Sequence, residues 1–177
     1  MLDYSQEELQ RLGADITTRE IYQQPEVWQE AFEHYKAQAA DIAAFLKKIE
    51  DKHNYIKVIF AGAGSSAYVG DTLTPYFRKI YDERKWNFNA IATTDIVANP
   101  LVHLKREVPT VLVSFARSGN SPESVATVDL AKQLVDDLYQ ITITCAAQGK
   151  LAQQAQDDEK NLLLLQPEAS NDAGFAM

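Results

Sequence analysis

At 177 residues the chain has room for a sizeable core, and its 46% hydrophobic and 24% charged residues are ordinary for a globular protein. A formal net charge of −8 excludes the basic face that nucleic-acid binders need and any attraction to an anionic membrane surface. An anionic ligand must then be held by local N–H groups and a few cations, not by the field of the whole molecule.

The segment Met1 to Glu8 has neither the basic region nor the apolar core of a signal peptide, and no apolar run approaches the ~20 residues of a membrane span. These features predict a cytoplasmic protein. No CxxC or His/Cys cluster points to zinc, and no cofactor is expected. The single cysteine, Cys145, closes a strand-like run and is expected to be a buried, reduced thiol.

Residues 1–52 are helical in character. Ser5 with Glu8, and Thr17 with Glu20, each fit a capping box that opens a short helix. Pro25 suits the first turn of a longer one. From there Trp28, Phe32, Tyr35, Ala39, Ile42, Leu46 and Ile49 form one apolar stripe, expected to be core or a subunit contact. His34 and His53 read as surface or capping residues.

The pattern changes at residue 55. Tyr55–Phe60 is β-branched and apolar, Ala61–Ser66 is a tight Gly/Ser turn, and Ala67–Ile80 is helical. Further strands are expected at Phe88–Ala92, Thr110–Ser114, Gln140–Thr144 and Leu162–Leu165. Between them lie a short helix or loop around Pro100, a helix Ser121–Leu138 and a polar helix Lys150–Asp158. Strands alternating with helices predict an α/β protein with a parallel sheet, whose ligands sit beyond the carboxyl ends of the strands. After Pro167 the chain reads as a loop entering a helix and stops in mid-element, as in part of a longer protein.

Two loops carry the chemistry. Gly62-Ala63-Gly64-Ser65-Ser66-Ala67 fits G-x-G-x-x-G/A, but the only acidic residue placed for a dinucleotide ribose is Asp95, which comes late. Adjacent serines at a helix start point instead to a smaller ligand. In Ala116-Arg117-Ser118-Gly119-Asn120-Ser121, the serines bracket Gly119-Asn120 and can turn both hydroxyls to one point. Ser121 also fits an N-cap with Ser124 at N3, and capping and phosphate contact draw on the same N–H groups. Arg117 is either the one cation of this site or a solvated surface residue. Asp95, His103, Glu123, Glu168 and Asp172 are the titratable groups near strand ends. His103 reads as structural. Glu168 is the best candidate for contact with a ligand.

The paired loops, with Pro167-Glu168 after the fifth strand, resemble the sugar isomerase (SIS) domain. Ala92–Val97, Ser114–Ser124 and Glu168–Met177 resemble its tagatose-6-phosphate ketose/aldose isomerase group, which includes galactosamine-6-phosphate deaminase/isomerases. The resemblance implies a five-stranded parallel sheet between helices, a flavodoxin-like three-layer sandwich, here with an N-terminal helical extension. It implies a helical segment 1–52 and a SIS domain 53–177, the first half of a tandem pair. It implies a small phosphosugar as partner, held by Ser118 and Ser121 with the N–H groups of Arg117 and Gly119 beside Asn120. Ser65 would face the sugar hydroxyls, supported by Gly64 and Ser66, and Glu168 would line the pocket as the best candidate base. Many SIS sequences have serine where Ala116 stands and glutamine where Arg117 stands, so one hydroxyl is exchanged for a cation. Pairing with a second SIS half or a second copy is expected. A half that lacks its own base also fits a phosphosugar-binding or regulatory module.

Overall fold

The computed structural model describes residues 4–156, 158–171 and 173. Helix α1 (Gln6–Arg11) opens on a capping box: Glu8 N–H donates to Ser5 Oγ at 3.2 Å, and Ser5 N–H donates back to Glu8 Oε2 at 2.8 Å. The second expected box does not form. Thr17, Glu20 and Pro25 all lie inside one long helix, α2 (Asp15–Lys52). Pro25 removes the hydrogen bond to the carbonyl of Ile21, but that turn is exposed and water can serve the freed group.

Five strands follow in parallel, in the order β2-β1-β3-β4-β5. They are β1 (Ile56–Gly62), β2 (Trp86–Ala92), β3 (Thr110–Ala116), β4 (Leu138–Thr144) and β5 (Asn161–Leu165). The strand pattern has period two, so each strand feeds two cores. Ile59, Ala61, Leu112 and Ala116 face α4 (Thr93–Ala98), α5 (Pro100–His103), α6 (Pro122–Leu134) and α7 (Lys150–Gln156) through Ile96, Leu104, Val128 and Leu151. Val58, Phe60, Phe88, Val113 and Ile141 face the other way, toward α2 and α3 (Ser65–Ile80). There Phe77 stacks on Phe88 at 5.0 Å between centroids. Between α2 and α3 part of this face stays open as an apolar cleft of about 340 Å³.

One expectation about helices is corrected. α6 ends at Leu134, and Leu138 begins β4. The turn between them is fixed by Asp136 N–H donating to Arg106 O and Thr110 N–H donating to Asp137 O. The apolar stripe of α2 divides: Ile49 is fully buried and Leu46 packs on the sheet, whereas Trp28, Phe32 and Tyr35 are exposed. The helix is ~57 Å long at ~1.5 Å per residue, and a seven-residue strand is ~23 Å, so the sheet can cover only its lower part.

Candidate functional site

In a sheet of this order the chain changes direction between β1 and β3, and the crevice at their carboxyl ends is where doubly wound folds bind ligands. Gly62 at the end of β1 pairs in register with Phe115 near the end of β3, so both Gly/Ser loops leave the sheet side by side. Between them opens a cavity of about 670 Å³, within the range of small-molecule sites.

The first loop hugs its helix. A methyl on Gly62 would lie 2.5 Å from the backbone of Ser66, so only glycine lets α3 start this close to the strand. Thr93 Oγ1 donates to Gly62 O at 3.3 Å and holds the strand end. The second loop is fixed from β4: Thr144 Oγ1 and Cys145 N–H both donate to Arg117 O, at 3.0 and 3.1 Å. It is also tied to α7, because Leu151 N–H donates to Gly119 O and Lys150 N–H donates to Asn120 Oδ1. Asn120 N–H donates to Ser118 Oγ at 3.3 Å, which leaves the Ser118 hydroxyl proton for another acceptor.

Helices α3 and α6 both begin at this cavity, and neither has a side-chain cap hydrogen bond. Ser121 holds the N-cap position of α6, yet its hydroxyl makes no capping bond. Two uncapped helix starts bring partial positive charge and N–H donors to one opening, which suits an anion.

The structure brings Gly64, Ser65, Ser66, Arg117, Ser118 and Ser121 together in the cavity lining. Gly119 and Asn120 are outside that lining and serve to fasten the loop to α7. Glu168 opens the 3₁₀ turn Glu168–Ser170 with its side chain exposed; Gln166 and Ser170 line the cavity there. Asp95, His103 and Glu123 lie outside the lining, and Asp172 falls outside the described residues. Cys145 is half-buried at the cavity rather than packed in the core, because the chain leaves the sheet at Thr144. Among the described residues no carboxylate or imidazole lines the cavity, and no cluster of His, Cys, Asp and Glu is placed to hold a metal ion.

Val27, Trp28 and Ala31 of α2 also form part of the lining; of these, Trp28 belongs to the apolar stripe expected in core or in a subunit contact. No local motif marks them, since a helical stripe has the same spacing whatever it faces.

The SIS domain profile matches residues 39–176. This chain belongs to the SIS domain family. The SIS chain is 43% identical over 173 residues to a Shewanella sp. (strain ANA-3) protein named D-galactosamine-6-phosphate deaminase AgaS, covering 98% of this chain and 44% of that protein. An Escherichia coli protein of the same name is 40% identical over 161 residues, covering 91% of this chain and 41% of its own length. The crystal structure of an Escherichia coli tagatose-6-phosphate ketose/aldose isomerase superposes with a TM-score of 0.83 at 38% identity, covering 91% of this chain and 43% of that one. The SIS chain therefore spans less than half the length of the curated relatives it matches. No helix among the described residues is long and apolar enough to cross a membrane.

Proposed function

We propose that this chain is the phosphosugar-anchoring SIS unit of an isomerase or deaminase acting on a 6-phosphosugar, either galactosamine-6-phosphate or tagatose-6-phosphate. The observation that carries the reading is Ser121: it sits at the start of α6, borders the cavity, and its hydroxyl makes no capping hydrogen bond to its helix. Ser118, Ser65, Ser66 and the Arg117 side of the loop surround the same space. The relatives named for these substrates support the choice of sugar.

The anchor works at a distance from the chemistry. Contacts to the 6-phosphate fix the sugar, and that binding energy is available to orient carbons 1 and 2. A base then takes a proton from carbon 1 of the keto sugar to give an enediol or, from carbon 2 of the amino sugar, to give an enolamine. With the amino sugar, water replaces the nitrogen and ammonia leaves. A well-placed base is worth about 10²–10⁴-fold in rate. Glu168, exposed in the turn between two lining residues, is the candidate on this chain. We further propose that residues 1–52 are a helical extension, that 53–177 form the first of two SIS units, and that a second unit or copy pairs with it. The open apolar cleft between α2 and α3 and the exposed Phe32 and Tyr35 support such pairing.

A second reading, a binding or regulatory module without turnover, is favoured by the lack of a carboxylate in the described lining. One experiment separates the two. Titration calorimetry with galactosamine-6-phosphate and tagatose-6-phosphate, wild type against Ser118→Ala, should show binding that weakens in the variant. Unchanged affinity removes the anchor assignment. Binding without ammonia or isomer, even at high protein concentration, selects the module.

A further inference from the structure

The part of α2 that overhangs the sheet is a wall of the ligand cavity, and Trp28 is its most prominent side chain. Lys52 at the lower end donates to Asp137, next to the start of β4, and Gln23 near the upper end donates to Ala169 O, past the end of β5. The helix thus runs against the strands and continues beyond their carboxyl edge. At ~1.5 Å per residue it passes that edge about fifteen residues above Lys52, so Trp28 and Ala31 stand at the height of a bound ligand. The overhang is fastened at the top. Gln23 Nε2 donates to Ala169 O at 3.2 Å, and Ala173 N–H donates to the buried Glu20 Oε1 at 2.7 Å. Val27 is 5% exposed, while its neighbour Trp28 is 62% exposed and lines the cavity with Ser65, Ser66, Ser118 and Ser121.

The inference rests on the phosphosugar reading of that cavity. A phosphate held at Ser118 and Ser121 leaves the sugar body to the remaining lining. An amino sugar brings an ammonium group into it. No carboxylate of the described lining can meet that charge, and Arg117 is its one cationic residue. What remains is hydroxyl and carbonyl oxygen, the Gln166 amide and two aromatic side chains, Phe115, which packs back on the sheet against Phe60, and the exposed indole of Trp28. Tryptophan is the strongest aromatic partner for a cation. A neutral keto sugar gains nothing comparable from it.

We infer that Trp28 is a specificity-determining residue, favouring amino-sugar phosphates over neutral sugar phosphates through a cation–π contact with the ammonium group. The test is calorimetric titration of wild type, Trp28→Leu and Trp28→Phe with galactosamine-6-phosphate, tagatose-6-phosphate and inorganic phosphate. In Trp28→Leu the preference for galactosamine-6-phosphate over tagatose-6-phosphate should fall about five-fold. Trp28→Phe should keep most of it, and inorganic phosphate should bind all three proteins alike. An unchanged preference in Trp28→Leu overturns the inference. So does an equal loss for both sugars, which would make Trp28 a merely apolar wall. A wild type that binds none of the three ligands overturns the phosphosugar reading, and this inference with it. A wild type that binds phosphate and both sugars without preference overturns the inference alone.

Discussion

Gly149 lies directly against the carbonyl of Ser118: a methyl group on its Cα would overlap the Ser118 carbonyl oxygen. The residue ahead of α7 thereby sets the position of the Ser118 loop. Gly149→Ala must push that loop away or distort the turn. Overpacking of this kind costs about 1–3 kcal/mol of stability. We expect a lower melting temperature together with a roughly ten-fold loss of phosphosugar affinity. Affinity equal to wild type would show that the loop is not positioned from α7.

Ser121→Ala should behave in the opposite way. Its hydroxyl makes no capping hydrogen bond, so its loss should change stability by less than about 0.5 kcal/mol. A hydrogen bond to a charged group contributes about 1.5–3 kcal/mol, so ligand affinity should fall about 10–100-fold. Thermal denaturation and calorimetry on the same preparation decide the matter. A marked fall in melting temperature with affinity intact would return Ser121 to a purely helical role.

The five strands were legible because each is a short apolar or β-branched run between turn residues, and parallel pairing follows from the helices that separate them. The two loops were legible for the same reason: Gly and Ser interrupt the pattern at the end of β1 and β3. The helices are less legible in the sequence. Thr17-x-x-Glu20 has the form of a capping box, but Glu20 takes the N–H of Ala173 instead, a partner 153 positions away. Leu138 continues the helical spacing of α6, yet it pairs with Thr110 in the sheet. Trp28 was hidden because its stripe is indistinguishable by spacing from a core stripe. Only the mismatch between the length of α2 and that of the strands shows that its upper half must face something else.

Asp137 gathers the lower end of the fold. It accepts from Lys52 Nζ at 2.8 Å and from Lys160 Nζ at 3.3 Å, and His53 Nε2 lies 3.6 Å away. The hydrogen bond from Lys52 and the one from Lys160 hold its carboxyl below the ordinary 3.8, against the opposing effect of burial. A carboxyl whose folded value is depressed stabilises the fold above its unfolded value and loses that contribution as pH falls through the folded one. Asp137→Asn should therefore cost about 0.5–1 kcal/mol near neutral pH, the scale of a part-exposed ion pair. The difference from wild type should shrink below about pH 3.8, the ordinary value from which the carboxyl is depressed. Urea denaturation at pH 7 and pH 3 measures both. A difference that does not change with pH would mean that the packing of Asp137, not its charge, matters.

Glu20 should control how firmly the overhang of α2 is held over the cavity. Its side chain is buried and accepts the Ala173 N–H, while Gln23 ties the next turn to Ala169. Glu20→Ala removes the acceptor, and the N–H of the exposed Ala173 turns to water, at a cost of about 0.5–1.5 kcal/mol. Glu20→Gln keeps an oxygen in place and should cost less. Because the strands do not depend on this contact, the loss should be local. Hydrogen exchange should quicken over residues 18–31 and 168–171 in Glu20→Ala, and stay unchanged in β1 and β3. Inorganic phosphate, held by the loops alone, should bind as in wild type, whereas sugar phosphates that reach Trp28 should bind more weakly. Uniform acceleration of exchange through the sheet would show instead that Glu20 supports the whole fold, and that the wall cannot be loosened separately.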